Sequence, residues 1–280
     1  MREISVLEIT KAVRDLCINA NYYLSEDVKN KIDDAHNNES WPMAKDILGK
    51  ILTNIDISKN ENIPMCQDTG MACVFVELGQ EIHITGGPLE DALNEGVRQG
   101  YEEGYLRKSV VKDPLDRVNT KDNTPAIIYY DVVPGDKLKI TVAPKGFGSE
   151  NMSQVKMLKP SDGLQGVKDF VIKVVKDAGP NPCPPIVVGI GIGGTFDKAA
   201  NLSKRALIRP LSQRNSDKFY ENLENELLDK INSLGIGPQG FGGKTTALAV
   251  NIETYPTHIA GLPVAVNINC HVTRHTEIEL

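Results

Sequence analysis

The chain has 280 residues, 40% of them apolar and 24% charged, with a formal net charge of −6. That length can bury a substantial core in one large domain or two small ones, and the composition is that of an ordinary globular protein. The acidic balance, with no lysine- or arginine-rich block, excludes a nucleic-acid binder, and runs such as PPIVVGIGIGG fall far short of the roughly 20 apolar residues of a membrane span. The start, MREISVLEITKAV, has no sustained apolar stretch and no cleavage site, so a cytoplasmic chain is expected. Five cysteines, Cys17, Cys66, Cys73, Cys183 and Cys270, form no C-x-x-C. An odd count without a secretion signal points to reduced thiols, neither a disulfide framework nor a zinc ribbon.

The first 60 residues read as helices. Ser5-x-x-Glu8 is a capping-box pattern, and Val6, Ile9, Val13, Leu16, Cys17 and Ala20 follow at helical spacing, so Cys17 belongs to the core. Further helices start at Ser25 and at Ser40, with Pro42 in the first turn of the latter. Met71 to Leu78 reads as a buried strand holding Cys73. Leu89, Ala92, Leu93, Val97 and Tyr101 mark one face of the next helix. Ala126 to Val133 and Lys137 to Val142 are β-rich runs joined by Pro-Gly-Asp, which predicts that they pair. A glycine-broken loop, PKGFGSENMS, precedes a helix around Leu164 to Ala178. A strand over Pro185 to Ile190 and helices over Phe196 to Leu207 and Asp217 to Leu234 follow. TTALAVNIETY and GLPVAVNINC close the chain as strands. The class is α/β or mixed α+β, a helical N-terminal region of about residues 1–60 followed by strands and helices interleaved around mixed sheets. Without a clear linker or repeat, one domain over 1–280 is the expectation.

Two glycine motifs need weighing. Gly189 to Gly194 fits G-x-G-x-x-G between a strand and a helix, but the sequence beyond lacks the second strand and acidic residue of a dinucleotide site. Tight packing of a helix on a strand is the better reading. Gly243-Lys244-Thr245 ends like a P-loop, yet the first glycine should stand where Pro238 does, so the loop has the wrong size. GIGPQGFGGKTTAL still carries five glycines in fourteen residues, and something must turn on that backbone or approach it closely.

Cys66, Cys183 and Cys270 differ from the other two cysteines. Cys66 precedes a strand, Cys183 sits among Pro182, Pro184 and Pro185 just before another, and Cys270 ends a third. Strand ends are where such proteins assemble sites. Three thiolates would suit an iron–sulfur cluster with one open iron or a zinc site with one open position, although their spacing matches no regular metal motif.

Six blocks change that balance: CQDTG, LRKSVVKDPLDRVNTKDNTPA, PKGFGSENMS, NPCPPIVVGIGIGGT, GIGPQGFGGKTTAL and HIAGLPVAVNINC. Running in this order from about residue 60 to residue 270, they closely resemble the catalytic α subunit of the class I, iron–sulfur-dependent fumarate hydratases. The wider family includes L-tartrate dehydratase α subunits, which share CQDTG and the Cys-Pro-Pro block. Those usually differ at Arg107-Lys108-Ser109, Gly148-Ser149-Glu150-Asn151 and Lys244-Thr245-Thr246, so the resemblance implies a fumarase before a tartrate dehydratase. Phe147 departs from it, because many single-chain fumarases have glycine there.

The resemblance implies that Cys66, Cys183 and Cys270 ligate a [4Fe–4S] cluster whose fourth iron has no protein ligand. It implies Asp68 and His258 as catalytic groups, and Gln67, Asp68, Arg107 and Gly148 as substrate contacts. It does not make ligands of His271 or His275. The chemistry is coherent. Dehydrating malate expels hydroxide beside a carboxylate, which calls for a Lewis acid, a base for the adjacent proton and an acid for the leaving oxygen. Each residue also has a bland reading: Asp68 as a turn cap, Arg107 as a solvated arginine, Gly148 as a chain turn and His258 as a structural histidine. Single-chain relatives are about twice as long, which implies a separate β subunit, a higher-order heteromer and a small dicarboxylate substrate. The reading from a different class is an iron–sulfur sensor or electron carrier, which would want all four irons ligated.

Overall fold

Ser5 sets the first helix as its pattern predicts: its Oγ accepts from the Glu8 N–H at 3.2 Å. The computed structural model describes residues 2–280. Along the chain the elements are β1 (Arg2–Ser5), α1 (Val6–Tyr22), α2 (Glu26–Asn38), α3 (Pro42–Glu61), β2 (Met71–Gly79), β3 (Ile82–Thr85), α4 (Leu89–Glu103), β4 (Ile127–Val133), β5 (Leu138–Lys145), α5 (Phe147–Glu150), β6 (Gln154–Leu158), α6 (Gly163–Ala178), β7 (Ile186–Gly193), α7 (Phe196–Leu207), α8 (Lys218–Asn232), β8 (Ala247–Tyr255), β9 (Leu262–Asn269) and β10 (Thr276–Glu279). This is the mixed α/β class that the interleaved pattern indicates. No helix among the described residues is long and apolar enough to cross a membrane. The chain forms two compact units, with the division after Asn54 falling inside α3.

One unit comprises the residues up to Leu24, Ile55–Phe147 and Arg274–Leu280. Its main sheet has the order β10-β5-β2-β4, and β1 pairs with β3 in a separate parallel ribbon. The pairing of β4 with β5 expected from the intervening turn does not occur. β2 lies between them, parallel to β4 and antiparallel to β5. The reason is burial. Ala72 to Val76 is apolar at every position and buried throughout, so it belongs at the centre of a sheet, whereas β4 has only exposed and partly covered residues, as an edge strand does. Apolar residues of α1 and α4 cover one face of this sheet, with Cys17 among them as expected.

The other unit comprises Ser25–Asn54 and Gly148–Thr273, and its sheet has the order β6-β9-β7-β8. Along β7 the pleat sends Ile186, Val188 and Ile190 into a core shared with α6 and α8. Gly189 and Gly191 point the other way, against α7. A Cβ at Gly191 would come within 2.0 Å of the Ala199 carbonyl, so only glycine lets this helix approach. The G-x-G-x-x-G motif is therefore a helix-packing device.

Candidate functional site

In the first unit, Cys66-Gln67-Asp68-Thr69-Gly70 is an irregular loop feeding into β2. No helix or ladder holds such a loop, and three of its carbonyls are met by side chains from elsewhere in the unit. The carbonyls of Thr69 and Gly70 accept from the hydroxyl of Tyr101 at 2.7 and 3.0 Å. Gly70 O also accepts from Asn123 Nδ2 at 3.2 Å, and Asp68 O accepts from Arg274 Nη2. Tyr101 is fully buried on α4, and that burial pushes its phenol well above the usual range, so it remains a neutral donor.

Asp68 is held through both carboxylate oxygens. Oδ1 accepts from the Gly70 N–H at 3.0 Å and Oδ2 from the Phe147 N–H at 2.8 Å. It therefore caps its turn, while each oxygen keeps a lone pair for another partner. Thr69 Oγ1 donates to the Arg107 carbonyl at 3.1 Å, which ties the Arg107 segment to the same loop. The Arg107 side chain is exposed and its guanidinium has no partner among the described residues; Gln67 is exposed too.

In the second unit, Cys183 precedes β7 and Cys270 follows β9. These strands are antiparallel with Val187 opposite Asn269, so the two thiol loops emerge at the same end of the sheet. Cys183 has φ +56°, an uncommon conformation for a non-glycine residue, and its carbonyl accepts from His271 Nδ1 at 3.0 Å. His271 thus braces the loop, in keeping with its absence from the implied ligands. Gly148 lies in α5 with an exposed backbone; a Cβ there would meet nothing nearer than the Asn181 carbonyl at 3.9 Å. Glu150, two residues on, accepts from Lys204 Nζ and, at 2.8 Å, from Asn267 Nδ2, which fastens this stretch to β9.

His258 is placed elsewhere. It sits in the exposed turn between β8 and β9, at the opposite end of the sheet from Cys183 and Cys270. The intervening β7 is eight residues long, roughly 26 Å at strand spacing. Its Nδ1 accepts from the Ala260 N–H at 3.2 Å, so the hydrogen is on Nε2.

The five cysteines fall into two groups by environment. Cys17 and Cys73 are buried, and burial pushes the Cys17 thiol up to about 12. Cys66 and Cys270 are half-buried and Cys183 is exposed. Thiols in that second setting are open to a soft metal centre, so the donor set fits an iron–sulfur cluster. Among the described residues no three His, Cys, Asp or Glu side chains converge as the ligands of a single ion would.

Sequence reasoning missed Arg274 and Tyr101 as props of the Asp68 loop. Tyr101 was legible only as an apolar helix position. Arg274, 5% exposed, gave one signal: a charged residue within an otherwise apolar and polar-uncharged run, VTRHT.

The sequence profile described as fumarate hydratase (Fumerase) matches residues 10–279. A protein of Methanocaldococcus jannaschii with the provisional name L(+)-tartrate dehydratase subunit alpha is 46% identical over 274 residues, covering 96% of each chain. The L(+)-tartrate dehydratase subunit alpha of Escherichia coli K12 is 32% identical over 274 residues, covering 96% of this chain and 90% of its own. The protein of that name from Shigella sonnei matches to the same extent. With a profile match over nearly its whole length and relatives at this identity, the chain belongs to the fumarate hydratase (Fumerase) family.

Proposed function

We propose that this chain is the catalytic α subunit of a [4Fe–4S]-dependent hydro-lyase that interconverts fumarate and L-malate. The observation that carries the reading is the five-residue turn in which Cys66, a half-buried thiol, stands two residues from Asp68, a carboxylate oriented at both oxygens. Cys66, Cys183 and Cys270 would hold the cluster. When bound, it supplies a Lewis acid through an iron without a protein ligand.

The remaining work falls to side chains. Asp68 holds or moves a proton at whichever carboxylate lone pair is left by its two N–H partners. Arg107 presents an exposed planar fork suited to gripping a substrate carboxylate through two hydrogen bonds. Gln67 offers an exposed amide and Gly148 an exposed backbone to the same substrate. His258, whose proposed part is to donate to the substrate or orient a neighbour, lies a strand's length from the Cys183 and Cys270 loops.

The relatives named subunit alpha support a β partner that completes the site. Their names also favour a second reading, L-tartrate as substrate. The test is an anaerobic assay of the reconstituted chain, with and without its β partner, against fumarate, L-malate and L-tartrate. Turnover of fumarate and malate at a kcat/KM well above that for tartrate supports the first reading, and the reverse order selects the second.

A further inference from the structure

The glycine-rich stretch from Gly235 to Lys244 is the one motif that the proposed reaction leaves unused. In the structure it coils on itself, with Gly240 N–H donating to the Gly237 carbonyl at 3.0 Å and Gly242 N–H to the Ile236 carbonyl at 2.9 Å. Its base is moored by Glu39, 4% exposed, whose Oε2 accepts from the Lys244 N–H at 2.7 Å. At its tip stands Gln239, with φ +53°.

Gln239 directs two donors at one atom: its backbone N–H and its Nε2 each reach the Pro184 carbonyl at 2.8 Å. Gly240 lies against the same loop, where a Cβ would come within 2.4 Å of the Pro180 Cβ. One peptide earlier, the Cys183 carbonyl accepts from the backbone N–H of His271 at 3.4 Å and from its Nδ1 at 3.0 Å. The Gln239 and His271 side chains meet at 3.3 Å. Both carbonyls that follow the Cys183 thiol are thus gripped by donors from other loops, one of them the loop that carries Cys270.

Proline explains the need. Pro184 and Pro185 have no N–H, so the segment from the thiol to β7 has no donors of its own with which to fix itself to the sheet.

We infer that Gln239 is a positioning residue for Cys183, clamping the Cys183–Pro184 backbone so that this thiol is set for the cluster beside Cys270, with His271 closing the other half of the clamp. The inference rests on the iron–sulfur reading above. A ligand loop that is ordered before the metal arrives loses less freedom on binding, so breaking the clamp weakens retention of iron without removing a ligand.

The test uses the full chain, reconstituted anaerobically, as wild type, Gln239→Gly, Gln239→Glu and Cys183→Ser. Gln239→Gly keeps the left-handed backbone and its N–H and removes the side-chain donor; Gln239→Glu keeps the size and replaces the donor with acceptors. The readouts are iron and sulfide bound per chain, the rate of iron loss to a ferrous chelator, and the thermal midpoint. A fourth is the alkylation rate of Cys183 relative to Cys66 by iodoacetamide in cluster-free protein, followed by mass spectrometry. Both Gln239 variants are expected to bind near-wild-type iron yet lose it about 10–100-fold faster, the range for groups that orient metal ligands. Their Cys183-to-Cys66 alkylation ratio should rise several-fold. Wild-type iron loss in both variants overturns the positioning role, and so does faster loss with a lowered midpoint and an unchanged alkylation ratio. In either case, loss of the cluster in Cys183→Ser leaves the iron–sulfur reading standing. Full iron retention in Cys183→Ser rejects that reading and this inference together.

Discussion

Asp68 is positioned by the backbone N–H groups of Gly70 and Phe147, one at each carboxylate oxygen, so an amide in its place keeps one of these bonds and loses the other. Asp68→Asn keeps the shape and removes proton-transfer capacity. Turnover should fall by about 10²–10⁴-fold, the usual yield of a positioned acid or base, with iron content unchanged. Near-wild-type turnover would return Asp68 to the plain role of turn cap. Water separates the thiols just as sharply. Cys17, fully buried and pushed up to about 12, carries no thiolate near neutral pH, whereas Cys183 is exposed. Iodoacetamide added to folded, cluster-free protein should modify Cys183 and spare Cys17 until unfolding; early mass gain on Cys17 would contradict the burial argument. Asp122 contributes to acid stability at the same scale. Burial pushes its carboxyl up, but the N–H and hydroxyl of Thr124 and the Arg98 guanidinium outweigh that and hold it at about 2, below its ordinary 3.8. A depressed folded value means that the stabilisation is present above about pH 4 and disappears as pH falls through 2. With the side chain 28% exposed, Asp122→Asn should cost about 1–2 kcal/mol at neutral pH and flatten the acid unfolding curve between pH 4 and 2. An unchanged curve over that window would show that these bonds contribute nothing.

At the scale of elements, the second unit's sheet decides which groups can act together. Antiparallel β7 and β9 deliver Cys183 and Cys270 to one end, while the turn after β8 delivers His258 to the other. His258→Asn should therefore leave iron and sulfide content at the wild-type level, whatever it does to turnover. Cluster loss in that variant would mean that the register places these loops wrongly. The packing of α7 on β7 is similarly unforgiving. Gly191→Ala forces a methyl group to within 2.0 Å of the Ala199 carbonyl, a backbone atom that cannot swing aside. The overpacking should cost about 1–3 kcal/mol in denaturant unfolding, because these glycines face α7.

For the whole molecule, the proposed reaction makes activity depend on what the chain binds. An iron without a protein ligand is the one most easily lost to oxidants, so activity should decay in air and return with ferrous iron and thiol under anaerobic conditions. Persistence through aerobic handling with a chelator would count against the cluster. Gripping two carboxylates and a hydroxyl at once gains its rate from orientation, and this chain offers Arg107 as its exposed fork. Titrating the β partner into reconstituted chain should raise fumarate turnover to a plateau at a 1:1 ratio, and full turnover without it would place every needed group within these 280 residues.

What was legible in the amino-acid order was local. Helix starts at Ser5 and Asp217 could be read because a capping side chain acts within three residues of its own position. Strand and helix periods could be read because burial alternates along a single element, and the family could be read because six short blocks keep their wording. Tertiary structure decided what lies beyond that range. Whether β4 paired with β5 or admitted β2 depended on which strand could be buried on both faces, a comparison among strands that a turn signal does not encode. The purpose of the glycines before Lys244 could not be read either, since their partners, Pro180, Pro184 and Glu39, stand far away in the chain and meet them only when folded. Arg274 likewise gains its role from Asp68, more than 200 residues distant. Hydrogen bonds and packing act through space over a few ångströms, whereas a sequence orders residues only along the chain, so candidates for binding could be named in advance while the residues that hold them in place could not.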